Sequence, residues 1–585
     1  MARGGGVAMS DNYKIKIKHT ILIVIVCTFC SLLILQLFYV LIVQRADLLS
    51  LSRKKIEKTI DLNPKRGSLL DRNGELLAAS ILEYELWVDP KIVLKNQIST
   101  LNLLASSLNR CDSLYSYFSR EEKKGKRFIK VMSHLSTSST LSCEKIPQGN
   151  ISVEQATVIE NLKLSGVKLN PVYRRYYPFK ESFAQILGYM NSTSPQDGLE
   201  LVLNNTLQGQ QGKSWMLLDG RGNVIDATNL EEQVIHGTDV RLTLDYRLQI
   251  FAYQALQRTV ETNRALRGSV VIIDPSTGEV LSLVNYPSFN PNQWTVEEVT
   301  KNYNYATRDL LEFGSVIKPF TMVALFDTNH IADNELIDVS KGSIQVKDRI
   351  FTDTEKKKIL TLSEILSYSS NVGIIKLVSR MSSNELYHSF LKLSFNTPVV
   401  SDISIARGVP RNLESLLRED SVGKSSISHG YSYSLNTLKL AQLYTVFPEK
   451  GTIRPFRFLL NSENSNPIKK IEIPQAVFEK VDKMLSVVVS EGTGKKAQLS
   501  PYSVAGKTGT ARMIPLGQSE YSSEMHLSSF VGYAPLYRPK LLCVVVIYQP
   551  RAGGYYASDV AAPLFREVTK YGLRLFGVKP DELSL

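Results

Sequence analysis

Residues 20–43 read TILIVIVCTFCSLLILQLFYVLIV, an unbroken run without a charge. As a helix rising 1.5 Å per residue it spans about 36 Å, more than the roughly 30 Å hydrocarbon core of a bilayer. A cleaved leader has an apolar region of only roughly 7–15 residues, closed by small residues. This run is longer and lacks that ending, and Cys27 and Cys30 are not preceded by the small residues of a lipoprotein cleavage site. It therefore reads as an uncleaved anchor that holds the rest of the chain at a membrane. Charge does not orient it. Arg3, Lys14, Lys16 and Lys18 precede the run, and Arg45, Arg53, Lys54, Lys55 and Lys58 follow it.

The 585 residues correspond to about three or four domains. With 43% hydrophobic and 21% charged residues the chain has material for packed cores, which excludes a largely disordered protein and a many-span membrane protein. A net charge of +13 permits an anionic partner (nucleic acid, acidic lipid or anionic polymer), but the plain reading is a basic solvated surface. The five cysteines make neither a disulfide framework nor a paired zinc spacing, and the seven histidines show no H-E-x-x-H. No metal or cofactor is expected.

Arg66–Ala78, RGSLLDRNGELLA, places a turn signal, Asp71–Gly74, between two apolar runs and predicts a hairpin with a structural role. Residues 100–170 read as a peripheral subdomain whose role the sequence does not give. RLTLDYRLQIFAYQALQRTVE predicts a short strand and a long amphipathic helix. Gly268–Asn285 predicts a second hairpin around Pro275–Gly278, and three strands are predicted in SVAGKTGTARMI, SSFVGYAP and LLCVVVIYQ. Helical patterns over 315–327, 362–380 and 436–446 lie between. Strands at both ends and helices between them indicate an α+β domain on an antiparallel sheet. The chain thus divides into a tail at 1–19, an anchor at 20–43, a non-catalytic region at 44–235 and a catalytic domain at 236–585.

The chemistry is carried by Ser315 and Lys318. At positions i and i+3 of a helix start they share a face, so the amine reaches the hydroxyl, and a lysine of lowered pKa serves as general base for a serine nucleophile. Pro319 fits the first turn, and the helix N-terminus offers N–H groups to an oxyanion. S-x-x-K alone is cheap: Ser52/Lys55, Ser142/Lys145 and Ser421/Lys424 also match and read as surface accidents. S-x-N is cheap too, matching at Ser434/Asn436 and Ser462/Asn464. The distinguishing feature is order. Ser369-Ser370-Asn371 follows at a helix end and Lys507-Thr508-Gly509-Thr510 on a strand, which is the three-motif signature of penicillin-recognising serine enzymes.

With these motifs the chain resembles the class B penicillin-binding proteins along nearly its full length. RGSLLDRNGELLA, RRYYP (174–178) and GLE (198–200) are similar to the family's pedestal motifs. TLDYRLQ (243–249), PSFNPN (287–292), EGTGKKA (491–497) and AGKTGTA (505–511) are similar to its catalytic-domain motifs. No glycosyltransferase domain precedes them, unlike class A. SHGYSYSLNTLKLAQLYTVF, the ending VVVIYQPRAGGYYASDVAAPLFREV and the overall length look like the division-specific (FtsI-type) branch. Phe313 stands where the family usually has Pro, and Asn304-Tyr305-Ala306 where it has Asn-Arg-Ala. Neither departure touches the three motifs.

The resemblance implies a β-lactamase-like transpeptidase domain behind a single transmembrane helix and an elongated pedestal. It implies Ser315 as nucleophile toward stem peptides ending in D-Ala-D-Ala, Lys318 as base, Ser369 with Lys507 as proton relay, and Asn371, Thr508, Gly509 and Thr510 in substrate binding. It also implies β-lactams as mimics, no nucleic acid, and a SEDS-family, FtsW-like glycosyltransferase as partner. Wall chemistry would put the N-terminus in the cytoplasm and the bulk outside the inner membrane, where Cys111 and Cys143 could pair. The alternatives are an elongation-branch transpeptidase, a β-lactam sensor or hydrolase, and a scaffold with relic motifs. About 19 residues before the anchor are too few for a sensor's signalling domain.

Overall fold

The uncharged run lies in a helix from Asp11 to Phe38 that continues as a wider turn over Tyr39–Val43. Its apolar side chains stay exposed, Ile34 by 66% and Leu35 by 63%, so the helix needs an apolar surrounding that the described residues do not provide. Length and composition make it compatible with a single-pass membrane anchor. The structure, a computed structural model, describes residues 11–48, 50, 57–95, 104, 114–125, 129–130, 150–218, 224–404, 413, 421–461, 466–514, 520–522 and 524–581. Cys111, Cys143, Ser52/Lys55, Ser142/Lys145 and Ser462/Asn464 lie outside the described residues.

Two compact units result. Met1–Pro64 with Gln210–His236 holds the helix and a three-stranded sheet made of Glu57–Leu62, Gly212–Leu218 and Val224–Glu232. Lys65–Gly209 with Gly237–Leu585 forms the other.

In the second unit a long strand, Leu76–Val88, pairs antiparallel with Val167–Tyr176. Its far end closes a small core that includes Leu86, Val88, Phe118, Ile151 and Ile159, which gives the described part of 100–170 a packed centre of its own. The near end gathers three motifs that are far apart in sequence. Arg66 donates from Nε to Glu200 Oε2 at 2.7 Å and from a terminal nitrogen to the Glu200 carbonyl at 2.8 Å. Arg175 Nε donates to Glu200 Oε1 at 2.6 Å. Glu200 is fully buried, and its carboxylate is met by these two guanidinium groups. Glu200→Ala leaves two buried arginines without their counter-charge and is expected to cost about 3–5 kcal/mol, read as a lowered melting temperature.

The hairpin at Asp71–Gly74 forms as expected, Leu69–Leu70 against Leu76–Val88. The Asp71 carboxylate accepts from the backbone N–H groups of Asn73 (2.7 Å), Glu75 (2.8 Å) and Tyr246 (3.2 Å). Asn73 Nδ2 in turn donates to Asp245 at 3.1 Å. Asp245 caps helix α1 (Tyr246–Thr262), accepting from Arg247 and Leu248 N–H groups. The turn therefore clamps the first helix of the catalytic domain.

That domain is built on five strands: β1 (Arg267–Ile273), β2 (Val280–Tyr286), β3 (Ala505–Arg512), β4 (His526–Ala534) and β5 (Leu541–Tyr548). They pair antiparallel in the order β2-β1-β5-β4-β3. Side chains alternate between the faces. Val270, Ile272, Val545 and Ile547 pack with α1 and the C-terminal helix Ala557–Leu575. Val271, Ile273, Val544 and Val546 face the helical core around Phe320 and Leu366. Burial on both sides explains why β5 reads as a continuous apolar run, LLCVVVIY. Cys543 sits inside that strand, and burial pushes its thiol up, so it behaves as a small hydrophobe.

Candidate active site

Phe313 leads into a single 3-10 turn, Gly314–Ile317, which continues as the helix Lys318–Asp327 with Pro319 in its first turn. In a 3-10 turn residues i and i+3 eclipse, so Ser315 and Lys318 lie along one edge. Two glycines let other backbones close on this turn. The Gly430 (φ +89°) carbonyl accepts from Gly314 N–H at 3.0 Å, and a Cβ there would stand 1.9 Å from the Gly314 carbonyl oxygen. Gly509 on β3 faces the Phe313 carbonyl, 2.6 Å from where its Cβ would be. β3 thus runs directly along the turn that carries Ser315 and brings Lys507, Thr508 and Thr510 beside it.

The expected helix over 362–380 is broken in two, Leu362–Ser367 and Asn371–Val378, and the break is the second motif. Ser369 takes φ +59°, a left-handed conformation that costs a non-glycine residue of order 1 kcal/mol or more. Asp353 holds the break open. Its carboxylate accepts from Ser370 Oγ at 2.6 Å, Asn371 N–H at 2.5 Å and Val372 N–H at 2.9 Å. It caps the second helix from the end of a hairpin, Ser343–Val346 with Arg349–Thr352.

Ser369 becomes the centre of the site. Lys318 Nζ donates to the Ser369 carbonyl at 2.5 Å, to Ser369 Oγ at 3.3 Å and to Asn371 Oδ1 at 2.8 Å. Lys507 Nζ donates to Ser369 Oγ at 3.0 Å and to the Thr508 carbonyl at 3.0 Å. Both lysines are fully buried. Burial brings the Lys318 ammonium down to about 7, opposed by the Asp353 charge. Burial, then the Lys318 charge, lowers Lys507 well below the usual lysine range. Two buried amines that share one hydroxyl disfavour a doubly charged state, so a neutral amine is available near neutral pH. The sequence expectation of an amine bound to the Ser315 hydroxyl is not the arrangement seen. Lys318 is turned to Ser369 and Asn371, and the partly exposed Ser315 hydroxyl makes no hydrogen bond among the described residues.

The remaining motif residues converge too. Thr508 Oγ1 is 2.7 Å from Thr493 Oγ1, whose own N–H donates to the Ser367 carbonyl. Thr510 Oγ1 accepts from Ala557 N–H at 3.0 Å. Asp353, Thr493, Gly430 and His429 were not among the residues singled out for the site. Thr493 lies in a quoted motif; Asp353 has no local sequence signal. His429 Nδ1 lies 2.6 Å from the Ser425 carbonyl, and burial and the Lys318 charge hold the imidazole at about 3, hence neutral. Lys424, read as a surface residue, is a correction: it is buried and donates to the Met381 carbonyl, because the helix Ser421–Ser428 packs inward. Asn436 of another spare match caps the helix Thr437–Tyr444.

Asp353→Ala is expected to slow acylation roughly 10–100-fold, the 1.5–3 kcal/mol of a lost charged hydrogen bond. Asp353→Asn keeps an acceptor but removes the charge that holds the Lys318 proton, so the acid limb of the pH–rate profile should move to lower pH.

Residues 268–570 match the penicillin binding protein transpeptidase domain and 61–242 the penicillin-binding protein dimerisation domain. The chain is 30% identical over 522 residues to "Probable peptidoglycan D,D-transpeptidase PbpC" of Pseudomonas aeruginosa, covering 89% of this chain and 88% of that one. It is 29% identical over 553 residues to peptidoglycan D,D-transpeptidase FtsI of Escherichia coli strain K12, covering 93% and 88%. Penicillin Binding Protein 2X of Streptococcus thermophilus shares the fold, with a TM-score of 0.71 at 20% identity over 89% of this chain and 81% of that one. The chain belongs to the class B penicillin-binding proteins and is a peptidoglycan D,D-transpeptidase. Its penicillin-binding domain fits substrates ending in D-Ala-D-Ala and β-lactams.

Proposed function

We propose that this enzyme cross-links septal peptidoglycan through an acyl-enzyme on Ser315. The observation that carries the chemistry is the Ser369 hydroxyl held between two buried amines, of which Lys318 stands one turn on from Ser315. Neutral Lys318 takes the Ser315 proton as the oxygen attacks the carbonyl of the penultimate D-Ala. The oxyanion forms against the backbone N–H groups of Ser315 and Thr510. Ser369, supplied by Lys507, passes a proton to the departing D-Ala nitrogen as the peptide bond breaks. Asn371 holds the donor's peptide group. The Thr508 and Thr510 hydroxyls and the Lys507 charge receive the terminal carboxylate, and Gly509 leaves room for β3 to approach. The amine of a second stem peptide then attacks the ester and gives up a proton through Ser369 to Lys507, while Lys318 returns its proton to the leaving Ser315 oxygen, which forms the cross-link and restores Ser315. A β-lactam follows the first half and stalls.

Action on wall peptides supports an N-terminus in the cytoplasm and a catalytic domain outside the membrane, and the resemblance to the division branch supports a SEDS-family, FtsW-like glycosyltransferase as partner. The division role rests on the sequence branch and on the FtsI name of the Escherichia coli relative. Depleting the chain in its own host should give filaments lacking cross-walls; rounded cells would assign it to elongation instead. In vitro, D-Ala release from a pentapeptide donor should accompany cross-linking, and release with water as the only acceptor would mark a hydrolase.

A further inference from the structure

Behind the helix that carries Lys318, two lysines meet with no counter-charge. Lys439, on the helix Thr437–Tyr444, is 2% exposed, and its ammonium donates only to neutral oxygens: Thr397 Oγ1 at 3.1 Å and the Pro398 carbonyl at 3.4 Å. Lys469, on the exposed strand Lys469–Lys470, donates to Ser394 Oγ at 2.7 Å. Ser394 is buried and takes φ +67° at the end of the helix Ser383–Lys392; Thr397 Oγ1 donates back to its carbonyl at 3.0 Å. Among the described residues no carboxylate pairs with either lysine, and the charge that bears on Lys439 is that of Lys469.

A buried ammonium is ordinarily paired, because its desolvation is otherwise uncompensated. Here the second charge has the same sign. An ammonium has three N–H donors. Lys439 uses two and Lys469 one, and Ser394, accepting from Lys469, keeps its own proton free. The unused donors come from three residues around one turn, and the missing component is a negative charge. We propose that Lys439, Lys469 and the Ser394 hydroxyl bind an oxyanion, a phosphate or carboxylate group, where the 394–398 turn meets the strand Lys469–Lys470. Burial and Lys469 bring the Lys439 ammonium down to about 7 in the absence of an anion, consistent with a cation lacking its partner. The site lies outside the catalytic cleft but touches its support: Phe395 packs edge-on against Phe320 at 5.1 Å, two residues on from Lys318 in the same helix.

The test is thermal unfolding of the full chain in detergent, titrated with inorganic phosphate or acetate against sodium chloride at matched ionic strength. A saturable rise in melting temperature with phosphate, absent with chloride, is expected. Lys469→Gln, a surface change that leaves the fold intact, should weaken the half-saturation point at least tenfold, and Lys439→Met should remove the response. A response to phosphate alone identifies a phosphate site, and an equal response to acetate a general oxyanion site. No rise in the wild type, or a rise unchanged in both variants, overturns the proposal.

Discussion

With the proposed acyl-enzyme on Ser315, Ser315→Ala is expected to abolish acylation by penicillin, with a loss on the order of 10⁴-fold or more, and to leave the melting temperature unchanged within the error of the measurement. The size of the loss follows from removing the one atom that forms the covalent bond. Retained stability follows from the surroundings. The hydroxyl is partly exposed and makes no hydrogen bond among the described residues, and the turn is fixed by backbone contacts to Gly430 and Gly509 that alanine does not disturb. Substitutions of this kind stay within about 0.5 kcal/mol. Stopped-flow acylation beside a thermal melt separates the two effects.

Lys318→Met reduces acylation about 10²–10⁴-fold, the usual contribution of a positioned general base. In the wild type the acylation rate rises with one-proton dependence as pH passes through about 7, where Lys318 loses its proton. Stability changes in the same direction. The folded-state pKa of about 7 lies below the ordinary 10.5, so between these values the unfolded chain binds more protons than the folded one, and stability climbs with pH. Below about 7 both states carry the proton and the folded chain bears the full cost of burying it. The Lys318→Met variant should lose Lys318's share of this slope along with its activity, while the buried Lys439 and Lys507 keep theirs; a surface lysine variant should change neither.

The catalytic sheet was legible because burial on both faces leaves an unmistakable mark: runs such as VVII in β1 and CVVVI in β5 admit little besides strands. The three motifs were legible because their residue types and chain order match the signature of penicillin-recognising serine enzymes. The break at Ser369 was not. Its flanks, LSEILS and NVGIIKLV, have helical pattern, and what separates them is Asp353, which reaches Ser370 from 17 residues upstream. Such a cap depends on where a hairpin folds back, which local periodicity does not encode. The burial of Lys424 and Lys439 was hidden for the same reason, since a lysine's position in a pattern says nothing about the loops that later cover it. RGSLL, RRYYP and GLE were each visible as motifs, but their common purpose, two arginines on one buried Glu200, appears only when the strands pair.

The central claim, acyl transfer at Ser315, is tested most directly by mapping the covalent adduct. The full chain in detergent is incubated with benzylpenicillin, digested and sequenced by mass spectrometry. The account predicts a single added penicilloyl mass on the peptide containing Ser315, with Ser369 unmodified although it lies between both amines. An adduct on Ser369 or elsewhere, or a folded chain that takes up no penicillin, would contradict it.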